Sequence, residues 1–228
     1  MTPPAQLARR LRATDALIFD FDGTLAPNLD LPDMKRQVIA LTLAAGVPAP
    51  VFADAFIVEI ITLASGWLEQ QQPGSSRNYH QEAHALITAI EMQSATATSV
   101  FDSTTQLLQR WRANGGRSAI VTRNCRAAIL ATFPEVLTQV DALLARDDVS
   151  HLKPDERHLQ QAVRALNVSA ERCMMIGDGA MDMQIGVACG MFNVGVLSGS
   201  SDRNSLRQAG ADAVLDDISS FLPALDSL

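Results

Sequence analysis

Six short apolar runs in this chain alternate with helical patterns, and this alternation limits the fold more than any other feature. Segments with strand character are predicted at Ala16–Asp20, Arg117–Thr122, Ala142–Ala145, Cys173–Gly177, Phe192–Val196 and Ala213–Leu215. Helices are predicted between them at Ser103–Asn114, Arg126–Phe133, Asp155–Asn167, Ala180–Cys189 and Ser205–Gln208. Apolar strands separated by helices are typical of a parallel sheet that is covered on both faces. We therefore predict an α/β fold with a Rossmann-like parallel sheet.

One long segment interrupts the alternation. Residues 28–96 contain no strand pattern but three helical ones, and the turn-rich stretch QQPGSSR separates the second helix from the third. We predict that residues 28–96 form a small all-helical domain. It would be inserted into an α/β core made of residues 1–27 and 97–228.

Charge and hydropathy exclude several classes of partner. The net charge is -7 and the isoelectric point is about 5.0, which argues against binding to a nucleic-acid backbone. No apolar run approaches the roughly 18 residues that a spanning helix needs, so no membrane partner is expected. The three cysteines form no C-x-x-C pair, and this favours a cytoplasmic location. The oligomeric state is not predicted.

Polar side chains follow four of the predicted strands. Asp20 and Asp22 come at the end of the first strand, Thr122 ends the second, Lys153 follows the third, and Asp178 follows the fourth. The carboxyl ends of parallel strands meet at one edge of a sheet, where ligands of such folds bind. We therefore expect these five side chains to form one polar site.

This set of groups suits phosphoryl transfer. Mg²⁺ favours carboxylate oxygens together with phosphate oxygens and water, and Asp20 and Asp178 can supply such carboxylates. Lys153 adds positive charge against an anionic phosphate ester. Asp20 could then accept the phosphoryl group as an acyl phosphate. Two residues later, Asp22 could protonate the leaving alkoxide and then deprotonate the attacking water.

Four short motifs, taken in chain order, resemble those of a known family. Asp20-Phe21-Asp22-Gly23-Thr24, followed by Thr122, Lys153 and the stretch GDGAMD, is similar to the four motifs of the haloacid dehalogenase superfamily. The helical insertion lies where that superfamily has its cap domain, between the first and second motifs. The chain looks most like the phosphoglycolate-phosphatase-like members. The resemblance implies a Mg²⁺-dependent phosphatase that acts on a small phosphorylated metabolite.

The resemblance also implies a role for each matched residue. Asp20, Asp22 and Lys153 would be catalytic. The metal would be held by Asp20, Asp178 and the backbone carbonyl of Asp22, with Asp182 behind them. The phosphate group would contact residues after the first three strands: Gly23, Thr24, Thr122, Arg123, Asn124 and Lys153. A glycine at position 23 would let the chain turn close to the phosphate, where a Cβ atom would obstruct it.

Other functions share parts of this pattern. A phosphotransferase or mutase would have the same core and differ only in the group that accepts the phosphoryl group. A dehalogenase would not need Asp22. A phosphoaspartate signalling receiver also gathers acids, a threonine and a lysine at strand ends, but its phosphorylated aspartate lies on a middle strand. A binding protein without activity is a further alternative.

The insertion offers candidates for substrate selection. The stretch SSRNYHQ, Ser75–Gln81, is predicted to be a polar loop between two helices of the inserted domain. Loops often carry binding residues. We expect Arg77 and Tyr79 to contact the part of the substrate that is not phosphate.

Overall fold

The structure is a computed structural model that describes residues 3–228, with side chains described from residue 7 onward. It divides into two compact units. The core unit comprises the chain up to Asn28 together with Ala95–Leu228, and the helical unit comprises Leu29–Ser94. The boundaries expected from the sequence lie one and two residues away from these.

A six-stranded parallel sheet forms the centre of the core unit. Its strands are β1 (Ala16–Phe19), β2 (Arg117–Val121), β3 (Ala142–Leu144), β4 (Cys173–Gly177), β5 (Phe192–Val196) and β6 (Ala213–Leu215). They lie in the order β3-β2-β1-β4-β5-β6. In the central register, Phe19 pairs with Ile120 on one side and with Ile176 on the other. The predicted α/β fold with a parallel sheet is confirmed.

Helices cover both faces of the sheet. In the core unit they are α1 (Pro3–Leu11), α5 (Asp102–Ala113), α6 (Arg126–Thr132), α7 (Val136–Gln139), α8 (Arg157–Leu166), α9 (Ala180–Ala188), α10 (Arg203–Gln208) and α11 (Leu222–Leu225). Short 3₁₀ turns lie at Arg146–Asp148, Ala170–Arg172 and Ile218–Phe221.

Alternate residues of each strand supply the two hydrophobic layers. Leu17 and Phe19 of β1 point into a cluster with α1, α5 and the C-terminal elements, whereas Ala16 and Ile18 point into a cluster with α8 and α9. All four side chains are completely buried. This two-sided burial explains why the strands read as continuous apolar runs rather than as alternating ones.

The helical unit has its own hydrophobic cluster. It contains α2 (Leu31–Ala44), a 3₁₀ turn at Ala49–Val51, α3 (Ile57–Gln71) and most of α4 (Ser76–Ala95). Apolar residues from all three helices meet, among them Val38, Ile60 and Ile87. The cluster gives this unit a core that does not depend on the sheet.

The loop predicted at Ser75–Gln81 is wrong, because α4 begins at Ser76. Tyr79 therefore lies on a helix, and only 5% of its surface is exposed. Its hydroxyl lies 2.7 Å from Oγ1 of Thr42, and burial raises the pKa of Tyr79. Tyr79 is part of the hydrophobic cluster and is not available as a substrate contact, whereas Arg77 is exposed.

Among the described residues, no helix is both long and apolar enough to cross a membrane.

Candidate active site

A tight turn after β1 presents the first two acids of the site. Gly23 N donates to the carbonyl of Ala26 at 2.7 Å, and Leu25 N donates to the carbonyl of Phe21 at 2.9 Å. Gly23 has φ = +81°, which favours glycine. A Cβ atom there would come within 2.7 Å of the carboxylate of Asp178. Glycine is needed at position 23 for both reasons.

Lys153 lies between two acids that come from different parts of the chain. Its ammonium nitrogen is 2.6 Å from Oδ1 of Asp20, which follows β1, and 2.7 Å from Oδ1 of Asp182, which lies in the first turn of α9. All three side chains are buried. The structure thus brings the predicted third motif against the first and the fourth.

Burial and mutual charge shift the pKa values of these groups. Burial raises the pKa of Asp20 well above its ordinary value, and although Lys153 opposes this shift, the nearby acids Asp182, Asp178 and Asp22 add to it. Burial likewise raises the pKa of Asp182, again against the effect of Lys153. Burial lowers the pKa of Lys153, but the two carboxylates outweigh that effect and raise it. The lysine therefore stays charged.

Asp178 is held by the loop that follows β5. Its Oδ2 accepts hydrogen bonds from the backbone N and the hydroxyl of Ser200, at 2.7 Å and 2.9 Å. Nδ2 of Asn28 lies 3.5 Å from the same oxygen. A Cβ atom on Gly199 would come within 2.0 Å of Asp178 Oδ2, so only glycine allows this close approach.

The acids at this edge of the sheet fit a divalent cation. Asp20, Asp178 and Asp182 each have a carboxylate oxygen within 4.8 Å of those of the others, and all three are buried. Together with Asp22 they put four carboxylates beside one ammonium. Such an excess of negative charge, most of it buried, is unfavourable unless a cation offsets it, and carboxylate oxygens are the ligands that Mg²⁺ prefers.

The segment after β2 contacts the acid pair of β1. Asn124 Nδ2 lies 3.1 Å from each carboxylate oxygen of Asp22, and Asn124 N donates to Oγ1 of Thr122 at 3.0 Å. Because Oγ1 of Thr122 acts as an acceptor in that bond, its own O–H is left to donate. The guanidinium of Arg123 bonds instead to the carbonyl of Lys153.

Three of the expected phosphate donors are used within the protein. The backbone N of Gly23 and that of Thr24 donate to Ala26 and Phe21, and the backbone N of Asn124 donates to Thr122. The hydroxyl of Thr24 is fully buried and has no hydrogen-bond partner among the described residues. These N–H groups are directed into their own turns, and their contact with phosphate stays a prediction.

A buried histidine, which the sequence reasoning missed, fixes the backbone of Lys153. His158 is completely buried in α8, and its Nδ1 accepts from Lys153 N at 3.2 Å. Its Nε2 lies 3.2 Å from the carbonyl of Leu144, at the end of β3. Burial, followed by the charge of Lys153, lowers the pKa of His158 to about 4. The neutral ring therefore accepts with Nδ1 and donates with Nε2.

Residues after β5 were missed as well. Ser198 Oγ donates to the carbonyl of Gly23 at 2.7 Å, and Ser200 holds Asp178. The strand-end reasoning used for the first four strands applies equally to the stretch SGSS after β5 and would have found both serines. Asn28, expected at the start of the inserted domain, belongs to the core unit and reaches Asp178.

Comparison with known proteins agrees with this geometry. A family described as haloacid dehalogenase-like hydrolase matches residues 14–190, which include every motif of the site. The phosphoglycolate phosphatase (plasmid) of Cupriavidus necator is 27% identical over 225 residues, covering 92% of this chain and 92% of that protein. The phosphoglycolate phosphatase of Colwellia psychrerythraea is 27% identical over 226 residues, covering 95% of this chain and 99% of that protein.

Solved structures show the same fold. A hydrolase from Pseudomonas syringae superposes with a TM-score of 0.65 at 21% identity, covering 94% of this chain and 99% of that one. The match of the family to most of the chain, over the same elements that assemble the acids and Lys153, settles the classification. This chain belongs to the haloacid dehalogenase-like hydrolases.

Proposed function

We propose that this hydrolase is a Mg²⁺-dependent phosphatase that cleaves a small phosphorylated metabolite through a phosphoaspartate on Asp20. The observation that carries the proposal is the buried ammonium of Lys153, 2.6 Å from Asp20, at a sheet edge with three further carboxylates. The two relatives that span nearly the whole chain are phosphatases by name, which supports the same reaction. A cytoplasmic location remains a prediction from the cysteine content.

In the first half of the reaction, a carboxylate oxygen of Asp20 attacks the phosphorus atom. The new phosphorus–oxygen bond forms as the bond to the leaving oxygen breaks, and the electron pair of the broken bond stays on the leaving oxygen. That oxygen takes a proton from the carboxyl group of Asp22. The products of this step are an alcohol, a phosphoaspartate at position 20 and an ionised Asp22.

In the second half, water hydrolyses the phosphoaspartate. The water oxygen attacks phosphorus while Asp22 accepts its proton, and the bond between phosphorus and the Asp20 oxygen breaks. Inorganic phosphate leaves, and both aspartates return to their starting protonation states. Lys153 offsets negative charge on Asp20 and on the phosphoryl oxygens in both halves, and the hydroxyl of Thr122 is free to donate to one of those oxygens.

The residues present would hold Mg²⁺ through the carboxylates of Asp20 and Asp178, with the backbone carbonyl of Asp22 as a third protein ligand. When bound, the ion supplies positive charge that offsets the negative charge of the phosphoryl group and of the acids. Asp182 is already bonded to Lys153 and to Gly179 N, so its role would be to support this arrangement.

The test is a screen of purified protein against phosphorylated metabolites with and without Mg²⁺, alongside Asp20→Asn. We expect release of inorganic phosphate only with Mg²⁺ and only from the wild-type protein, and a phosphorylated Asp20 in rapidly quenched samples. Full activity in excess chelator, or in Asp20→Asn, would refute the mechanism. Transfer of the phosphoryl group to a second metabolite instead of water would identify a phosphotransferase.

Substrate selection forms a separate part of the proposal. Arg77 is an exposed cation on α4 of the helical unit, and we retain it as a candidate for contacting the part of the substrate that is not phosphate. Tyr79 is no longer a candidate because its side chain packs inside that unit.

A further inference from the structure

We infer that Asn124 is a positioning residue that fixes the orientation of Asp22, and that it does not bind the phosphate group. This inference rests on the proposed role of Asp22 as acid and base. The sequence-based expectation grouped Asn124 with the phosphate contacts. In the structure, the amide nitrogen of Asn124 faces Asp22 and the amide oxygen accepts from Cys125 N.

The amide nitrogen of Asn124 faces the carboxylate of Asp22. It lies 3.1 Å from Oδ1 and 3.1 Å from Oδ2, although the two residues are 102 positions apart in the chain. An amide donor that is equally close to both oxygens restrains the position of the carboxylate. Asp22 itself is only half-buried and lies just beyond the end of β1, so the strand alone does not fix its side chain.

The amide of Asn124 can face Asp22 in only one orientation. Its Oδ1 accepts from the backbone N of Cys125 at 2.8 Å, just before the first turn of α6. If the amide were flipped, its NH₂ group would meet that N–H group, and its oxygen would meet the carboxylate of Asp22. The first contact would be repulsive in every state, and the second would be repulsive whenever Asp22 is ionised. The nitrogen must therefore point at Asp22.

The backbone of Asn124 is also fixed. Its N donates to Oγ1 of Thr122 at 3.0 Å, and its carbonyl accepts from Arg146 N at 2.9 Å. Only 5% of the residue is exposed. A side chain that is held at both ends and anchored through its backbone has little freedom, so it can hold a partner in place.

The proposed reaction requires Asp22 to keep one orientation through two proton transfers. It gives its proton to the leaving oxygen as the first phosphorus–oxygen bond breaks, and it takes a proton from water as the second breaks. An N–H donor can bond to a carboxyl oxygen in either protonation state. Asn124 can thus hold Asp22 throughout the cycle without exchanging a proton itself.

The test compares losses across leaving groups. The specificity constant kcat/KM is measured for Asn124→Ala with a series of phosphate esters that runs from nitrophenyl phosphate to alkyl phosphates. General acid–base catalysis contributes roughly 10²- to 10⁴-fold, and it matters most for poor leaving groups. We expect the loss to be about 10-fold greater for the alkyl esters. An equal loss for every ester would overturn the inference.

A double-mutant cycle separates positioning from direct phosphate binding. In an Asp22→Asn background, Asn124→Ala should cost less than about 3-fold, because the group that Asn124 holds no longer transfers protons. A loss of the same size in both backgrounds would mean that Asn124 acts on the substrate, and would refute the positioning role. If Asp22→Asn alone affects all leaving groups equally, the acid role of Asp22 fails as part of the proposed function.

Two further variants guard against a simple folding defect. Asn124→Ser keeps a hydroxyl that can accept from Cys125 N but is too short to reach Asp22, so it should show the same leaving-group pattern as alanine. Asn193→Ala is a matched control, since Asn193 is also buried but donates to the carbonyl of Gly210, outside the acid cluster. It should affect all esters equally. A leaving-group pattern in Asn193→Ala, or none in Asn124→Ser, would count against the inference.

Discussion

The ammonium of Lys153 lies 2.7 Å from Oδ1 of Asp182, and the other oxygen of Asp182 accepts from Gly179 N at 3.1 Å. Asp182 therefore joins the start of α9 to the ammonium in the acid cluster. It is buried, and it has no role as a nucleophile in the proposed reaction. In the proposed reaction it would hold Lys153 beside Asp20.

We expect Asp182→Asn to lower both activity and stability. The new NH₂ group would have to face either the ammonium of Lys153 or the N–H of Gly179, and neither can accept a hydrogen bond. Leaving a buried donor unpaired costs about 1–3 kcal/mol. Supporting groups of this kind change activity by about 10- to 100-fold. The measurements are kcat and denaturant unfolding. The control is Asp15→Asn, at the exposed carboxylate of a salt bridge. Wild-type kcat in Asp182→Asn would contradict the assigned function.

Metal binding should be visible without any substrate. A ligand at 100 times its dissociation constant stabilises a protein by about 2.7 kcal/mol, so saturating Mg²⁺ should raise the Tm of the wild-type protein. Asp178→Asn removes a buried carboxylate of the cluster and should reduce or abolish that rise. Asp216→Asn, at a side chain that is 87% exposed, should keep it. The same rise in Tm for Asp178→Asn and wild type would place the metal elsewhere.

His158 should make stability fall in mildly acidic solution. Its pKa is lowered from 6.5 to about 4 in the folded protein. Between these values the unfolded chain binds a proton that the folded protein does not, so stability rises with pH there. The contribution is fully present above pH 6.5 and is lost as the pH falls towards 4.

The size of that loss is on the order of 3 kcal/mol, from the shift of the pKa. The measurement is the free energy of unfolding of wild type minus that of His158→Asn, across this pH range. The difference should shrink on acidification. A constant difference between pH 7 and 4 would show that the protonation of His158 is not linked to folding.

The two candidates on α4 should respond differently to mutation. Tyr79→Phe loses the hydrogen bond to Thr42 and should destabilise the protein by about 1 kcal/mol, with no dependence on substrate.

Arg77→Ala should lower kcat/KM for the true metabolite far more than for a small aryl phosphate, because only the metabolite uses remote binding energy.

The control for Arg77 is Arg36→Ala, an arginine of α2 whose side chain is 75% exposed. It should change kcat/KM equally for both substrates. An equal effect of Arg77→Ala on both substrates would remove Arg77 from the specificity site, and a substrate-dependent effect of Tyr79→Phe would contradict its assignment to the hydrophobic cluster.

The strands and the order of the motifs could be predicted from the sequence because burial leaves a periodic pattern. β4, β5 and β6 begin and end where the apolar runs do, since a strand that is covered on both faces contains little else. The predicted ends of the first three strands include one further residue each: Asp20, Thr122 and Ala145. These three residues lie just beyond the strands, where the chain enters the loops that form or support the site.

Side-chain direction in the loops is decided by tertiary structure, because irregular backbone has no period that predicts it. That Asn124 points at Asp22, that Ser200 holds Asp178 and that Lys153 lies between Asp20 and Asp182 depend on contacts across more than 20 residues of chain. The same holds for Tyr79: the polar stretch around it indicates a loop, but the residue lies on α4 and its hydroxyl contacts Thr42. The sequence alone determined which groups come to the edge of the sheet. Packing and hydrogen bonding decided which of them touch.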